Sequence, residues 1–390
     1  MEKPKRGRAN WDHVKGNSPR KQASEILNKI GVKGVELKLM HVCGTHQDTL
    51  VRNGLIQPLH EVGIELVEGP GCPVCVTTTR EMEEALVLAR NGISICAFGD
   101  MTRAPAHTGS LLSAKSEGSD VRVVYSIEDA LSHARKNPDK KVVFLGVGFE
   151  TTVPSTAAIL ASEPPGNFSV LSFHRLTPPA VIAIAELGKV EVRGLVDPGH
   201  VCTITGTGPW EAISTKYGIP QVIAGFEPLD LLMGVFMLVK QIEEGRSQVE
   251  IEYTRAVTKE GNVKALSLME RVFDVVDVPW RGFPSIKYSG LAIKPAFDSW
   301  NARKIHQDIL QELEGQDFPD PEGCQCGSVI RGELSPEECP LFGRACTPST
   351  PVGPCMVSVE GGCAIAYKYG GLEMSPIKSS NGKSTGGHGA

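Results

Sequence analysis

Eleven cysteines stand in a chain of 390 residues, and their distribution is uneven. Cys43, Cys72, Cys75 and Cys96 lie in the first quarter, Cys202 stands alone, and Cys324, Cys326, Cys339, Cys346, Cys355 and Cys363 crowd into 324–363. In a reducing compartment, cysteines in such number serve as metal ligands or redox groups more readily than as structural disulfides. Two separate chemistries are implied, one at each end of the chain.

The N-terminal set comes as two motifs. His41-Val42-Cys43-Gly44-Thr45-His46 follows an expected strand over 35–40, and the glycine permits a tight turn and close approach of a ligand. Cys43 and His46 then lie near a strand end, suited to binding a soft metal or to a thiol of lowered pKa. The plainer alternative is a buried cysteine beside a hydrogen-bonded histidine. Gly69-Pro70-Gly71-Cys72-Pro73-Val74-Cys75 sits between a strand over 64–68 and a helix. A Cys-x2-Cys at such a turn lies near a helix N-terminus, which favours thiolate, and it can close to a disulfide and so exchange two electrons. Zinc is the competing use, but no second pair is close in sequence. Glu150, in Gly-Phe-Glu-Thr-Thr, is a candidate proton acceptor and equally a candidate helix cap. His107, His174 and His200 stand beside turn residues, and each taken singly reads as structural.

The C-terminal set has the spacing Cys326-x12-Cys339-x6-Cys346-x16-Cys363 among prolines and glycines. Four thiolates suit tetrahedral zinc or an iron–sulfur cluster. Zinc ribbons bring ligands as short Cys-x2-Cys knuckles, which are missing here, whereas long uneven gaps fit a cubane cluster. Cys324 and Cys355 are left over as substitute ligands or redox partners. The Cys-x3-Cys-x2-Cys signature of radical S-adenosylmethionine enzymes is absent.

The elements that must position these residues alternate. Strands are expected over 93–98, 141–146, 169–173 and 221–224, and helices over 80–89, 180–187 and 229–244. Apolar strands interleaved with helices predict parallel sheets covered on both faces, an α/β fold. Two segments, 143–150 and 222–227, run from an apolar strand into Gly-Phe-Glu and then a helix, which suggests two similar α/β units. Gly146-x-Gly148 with Thr151 falls short of a dinucleotide fingerprint. Beyond 250 the pattern changes: 249–257 alternates like an exposed strand, 280–284 is a turn-rich junction, and 305–313 looks helical. From 318 onward Pro, Gly and Cys dominate, and a metal centre is the usual substitute for a core in so small a unit. The expected division is a flexible basic arm over 1–20, α/β domains over 21–125 and 126–250, a cluster domain over 251–370 and a disordered tail over 371–390.

A formal charge of −5, from 40 Lys+Arg against 45 Asp+Glu, argues against a nucleic-acid partner. The longest apolar run, 231–239, is half of what a membrane span needs and reads as a buried helix. The basic N-terminus leads into no apolar segment, so it is not a signal peptide, and a cytoplasmic protein is expected. Gly-Lys-Ser-Thr at 382–385 fails as a phosphate loop, because Ile377 stands where its first glycine is required.

Together these residues resemble one family, the HypD-type [NiFe]-hydrogenase maturation factors. The resemblance lies in Cys-Gly-Thr-His at 43–46, Gly-Pro-Gly-Cys-Pro-Val-Cys at 69–75 and Gly-Phe-Glu-Thr-Thr at 148–152. It continues in Cys-Pro-Leu-Phe-Gly at 339–343, Cys-Thr-Pro at 346–348 and Cys-Met-Val-Ser-x-Glu-Gly at 355–361, and it spans roughly 20–370. Thr78 stands where the family pattern has proline. The resemblance implies two similar parallel-sheet α/β domains plus a small irregular cysteine-rich iron–sulfur domain. It implies a scaffold that assembles the Fe(CN)2CO group of [NiFe] hydrogenase with the chaperone HypC and the cyanide donor HypE. Cys43 would bind the iron, with a HypC cysteine as co-ligand and His46 in support. Cys72 and Cys75 would be a redox dithiol, and Cys326, Cys339, Cys346 and Cys363 would hold a [4Fe–4S] cluster, leaving Cys324 and Cys355 as non-ligands. Such proteins also resemble ferredoxin–thioredoxin reductases in joining a cluster to a dithiol. The alternative is a stand-alone iron–sulfur thiol–disulfide oxidoreductase, in which Cys43 is only a resolving thiol.

Overall fold

The computed structural model describes residues 18–31 and 33–370. The expected tail lies outside them, as does the expected arm apart from 18–20, where the Pro19–Gly31 helix begins. Eleven strands are described: β1 Leu37–His41, β2 Ile64–Glu68, β3 Ser94–Ala97, β4 Val121–Val123, β5 Val142–Gly148, β6 Phe168–His174, β7 Leu195–Pro198, β8 Gln221–Ala224, β9 Val249–Ile251, β10 Phe273–Pro279 and β11 Ser285–Ile293. They form a five-stranded sheet of order β2-β1-β7-β8-β9, a four-stranded sheet of order β4-β3-β5-β6, and a β10-β11 hairpin. Both larger sheets are wholly parallel and the hairpin is antiparallel. This is the α/β architecture that the apolar strands predict. Every residue of β5 and β6 is buried, as befits strands covered on both faces.

The sheets are not divided at residue 125. β1, with β2 on one side, pairs on the other with β7 from beyond residue 194, while β3, with β4 on one side, pairs on the other with β5, so the chain leaves the first sheet, builds the second and returns. Sequence reading groups neighbours along the chain, and nothing in the strands themselves announces that β1 waits for β7. The two Gly-Phe-Glu segments do occupy equivalent places, after β5 in one sheet and after β8 in the other. The alternation over 249–257 yields only three strand residues, β9, which closes the first sheet's edge. The helix expected over 305–313 breaks into Ala302–Ile305, Gln307–Leu310 and Gln311–Leu313.

Local signals set the helices well. Thr78 accepts the Glu81 N–H while the Glu81 carboxylate accepts the Thr78 N–H, a reciprocal cap that starts Thr79–Arg90. A threonine therefore starts this helix where the family pattern has proline. The Pro228–Glu243 helix buries Leu231, Leu232, Val235, Leu238 and Val239, one stripe at helical spacing, in the same core as Ala23, Ile26, Leu27 and Ile30 of the first helix. The cysteine-rich segment has only short helices, Cys326–Ile330, Pro336–Glu338, Pro354–Met356 and Gly362–Tyr369. It does not stand apart: Cys326, Cys355 and Cys363 share one apolar cluster with Val42, Val147 and Trp280. Among the described residues, no helix is long and apolar enough to cross a membrane.

Candidate functional site

The carboxyl ends of parallel strands gather ligand groups because each strand there gives way to a loop and a helix. Cys43 follows β1 directly and is the N-cap of Gly44–Arg52, while Cys72 follows β2 and is the N-cap of Pro73–Val76. Cys72 and Cys75 are joined as a disulfide, and the Cys72 sulfur accepts the Cys75 N–H at 3.2 Å. The two motifs touch. A Cβ on Gly71 would fall 2.3–2.6 Å from the Cys43 backbone, so only glycine admits this approach, and the Gly44 N–H donates to the Gly71 carbonyl at 3.3 Å.

Beside them opens a cavity of about 440 Å³, lined by Thr45, Gly71, Val74, Phe98, Phe149, Thr151, His200, Phe226 and Glu360 among others. The first sheet contributes the loops after β1, β2, β7 and β8, and the second contributes those after β3 and β5. Cys43 is 1 % exposed and lies behind the cavity wall, its sulfur 3.7 Å from Nδ1 of the lining residue His200. Burial pushes the Cys43 thiol up to about 12, outweighing the backbone N–H of His46, and nearby Glu360 adds to the rise. A lowered thiol pKa is therefore not what this strand end provides. The thiol keeps its proton at neutral pH.

His46 does not reach across to Cys43. Its Nε2–H donates to the Gly225 carbonyl at 3.0 Å, its ring lies 5.3 Å from that of Phe226, and its Nδ1 is buried without a partner. Burial holds its pKa well below the usual histidine value, so the ring is neutral. The histidine beside the sulfur is His200, which begins the turn after β7 and whose pKa burial lowers to about 4. Its sequence signal was present. Asp-Pro-Gly-His ends an apolar strand as His-Val-Cys-Gly does, and β1 and β7 are neighbours. Glu360 is the acidic residue of the Cys-Met-Val-Ser-x-Glu-Gly motif at 355–361. It accepts the Thr45 hydroxyl at 3.3 Å and lines the cavity, tying the cysteine-rich segment to the Cys43 loop.

Glu150 is buried and accepts both the Thr177 N–H, at 2.8 Å, and the Thr177 hydroxyl, at 2.9 Å. It thus anchors the start of the Thr177–Leu187 helix, while its neighbours Phe149 and Thr151 face the cavity. Behind the Cys43 loop lie Cys202 and Asp197, both fully buried, and the Asp197 carboxyl has no partner at either oxygen. Burial raises both groups well above their usual values.

In the C-terminal segment the sulfurs face one another. Cys326 is within hydrogen-bonding reach of Cys324, and Cys355 is within reach of Cys326 and Cys363. Contacts with Cys326 and Cys355 draw the Cys363 thiol down to about 6. A Cβ on Gly353 would fall 2.4 Å from the Cys326 sulfur and 2.6 Å from that of Cys324. Cys346 accepts the Val352 N–H at 3.4 Å, and Cys339 ends the Pro336–Glu338 turn, partly exposed. Cys355 therefore packs among the expected ligands and not away from them. Among the described residues, no three His, Cys, Asp or Glu side chains converge closely enough to clasp one ion as they stand.

The chain compares with known proteins over nearly its whole length. It is 47 % identical over 352 residues to a Methanocaldococcus jannaschii protein whose name assigns it to hydrogenase expression/formation, covering 90 % of this chain and 96 % of that one. It is 42 % identical over 357 residues to the hydrogenase maturation factor HypD of Cupriavidus necator, covering 88 % and 92 %. Against the factor HypD of Azotobacter vinelandii it is 42 % identical over 366 residues, covering 91 % and 95 %. The HypD family model, described as the hydrogenase formation hypA family, matches residues 20–370, and this chain belongs to that family.

Proposed function

We propose that this protein is a cytoplasmic scaffold on which the Fe(CN)2CO group of [NiFe] hydrogenase is assembled, working with a HypC-type chaperone and a HypE-type cyanide donor. The observation that carries the reading is the buried Cys43 thiol, in contact with the Cys72/Cys75 loop and beside His200, which lines the cavity. A protonated buried thiol is a poor nucleophile but a good soft ligand once a metal ion replaces the proton. Neutral His200 stands beside the sulfur, and the apolar wall of Phe98, Phe149 and Phe226 keeps water from the cargo iron. HypC would supply the second thiolate, and HypE would deliver cyanide from a thiocyanate, whose release needs two electrons. Cys72 and Cys75 hold such a pair when reduced.

A [4Fe–4S] cluster supplies one electron at a time when bound, and Cys326, Cys339, Cys346 and Cys363 are the proposed ligands. An all-sulfur donor set, a glycine at 353 that leaves room for two sulfurs and an N–H directed at Cys346 suit such a cluster. The sulfurs must part from their mutual contacts to hold it. The stand-alone oxidoreductase reading fits less well, because Cys72 and Cys75 are only 2 % and 1 % exposed and present no sulfur to a protein substrate.

Infrared spectroscopy of the anaerobically co-purified complex with the HypC-type partner tests the reading. CO and CN stretching bands are expected in the wild type and lost in Cys43→Ser, while the cluster absorption persists, since an alkoxide is a poor ligand for low-spin iron. Bands that survive unchanged in the variant place the iron elsewhere, and their absence from the wild type under maturing conditions favours the oxidoreductase.

A further inference from the structure

The turn over 280–284, in sequence only a junction, lies between the two sets of cysteines. On one side Arg281 closes the Pro73–Val76 helix: its backbone N–H donates to the Val76 carbonyl at 2.9 Å and its Nε–H to the Thr77 carbonyl at 3.1 Å. These are the carbonyls that a helix end leaves unpaired, and a cation is favoured beside them. On the other side Gly282 backs onto the Cys326–Ile330 helix. A Cβ on Gly282 would fall 2.4 Å from the Gly327 Cα, and the Arg331 guanidinium donates to the Gly282 carbonyl. The turn is thus a wedge with the Cys72–Cys75 helix on one face and the Cys326 helix on the other.

Arg281 is only 3 % exposed. One terminal nitrogen pairs with Asp320, and the other, Nη2, is buried with no partner. Leaving a charged donor unpaired in the interior costs stability. Such a cation is expected where its field acts on a nearby group, and the adjacent Gly282 packs against Gly327, the residue that follows Cys326.

We infer that Arg281 is a positioning residue whose buried charge is shared by the Cys72–Cys75 helix and the Cys324–Cys326 segment, and that this charge sets how readily both sulfur centres accept electrons. The inference rests on the reading of these cysteines as redox groups. Reduction adds negative charge, and a fixed cation nearby in a medium of low dielectric stabilises the reduced form. Removing the cation must lower the midpoint potential. Neutralising Asp320, which partly offsets it, must raise the potential.

The test uses the full-length protein, purified anaerobically. Midpoints are read for the iron–sulfur signal by absorbance and electron paramagnetic resonance, and for Cys72/Cys75 by thiol labelling in redox buffers. Arg281→Met is expected to shift both midpoints negative, Asp320→Asn to shift them positive, and Arg281→Lys to restore the wild-type values. A structural role alone would lower the melting temperature of the two Arg281 variants and leave the potentials unmoved. Unchanged potentials in Arg281→Met and Asp320→Asn, or shifts of the same sign, overturn the inference. Should Arg281→Met fail to fold, Asp320→Asn decides: absence of a positive shift overturns it. If the wild type carries no reducible iron centre, the cluster reading fails, and the dithiol couple still judges Arg281.

Discussion

Cys43 and Glu150 show how far burial overrides residue type. Both stand in motifs that read as reactive, yet the first is a thiol pushed up to about 12 and the second a carboxyl pushed up to about 7. For Glu150 the consequence is measurable. An exposed Glu loses its proton near 4.5 and the folded one near 7, so the folded state holds the proton more tightly. The stabilisation is complete below about 4.5 and is lost as pH rises through about 7. Denaturant titrations across that window should find wild-type stability falling with pH by up to about 1.4 kcal/mol per pH unit, and a flatter profile in Glu150→Gln. In the C-terminal set, Cys339→Ala should abolish cluster absorption and Cys324→Ala should leave it. Loss in Cys324→Ala with retention in Cys326→Ala would move the fourth ligand to Cys324 and free Cys326 to pair with Cys355, which it already touches. The cysteines were legible from sequence because type and spacing carry them. Glu360 and Arg281 were not, because each acts through contact with a residue far away along the chain, and His200 showed only as one of three histidines beside turns.

Elements were legible where caps and apolar runs agree. Thr79–Arg90, with its reciprocal cap and its stop at Asn91, falls within a residue or so of expectation, and β8 matches it to the residue. The segment 302–313 was not, since its apolar residues suit a helix while Asn301 and His306 break it into pieces. The most demanding local element is the loop holding Gly71. In Gly71→Ala the new methyl meets the Cys43 backbone, which must yield, and a loss of about 1–3 kcal/mol is expected. Thermal denaturation should record that loss, and Cys43 should become more reactive toward alkylating reagents as the two motifs separate. An unchanged Cys43 labelling rate would show that the contact can relax without moving the cysteine.

At the scale of the molecule, the interleaved sheets make the α/β class readable and the partition unreadable. Parallel strands betray themselves by continuous apolar runs, but their order is set by pairing that no local pattern encodes. A fragment of residues 21–125 would hold β1 and β2 without β7, and β3 and β4 without β5. It should show no cooperative unfolding transition by circular dichroism, and a cooperative one would mean that the first quarter folds alone. The same topology governs biosynthesis. Cys43, Cys72 and Cys75 leave the ribosome well before β7 and β8, the strands that complete their sheet, have been translated. Pairings of such long sequence separation form late and slowly. During that interval the nascent thiols are bare, open to adventitious metals and wrong disulfides. On the proposed reading, iron would have to reach Cys43 after translation has passed β9, and cells that overproduce the chain faster than it closes should accumulate protein with mismatched cysteines.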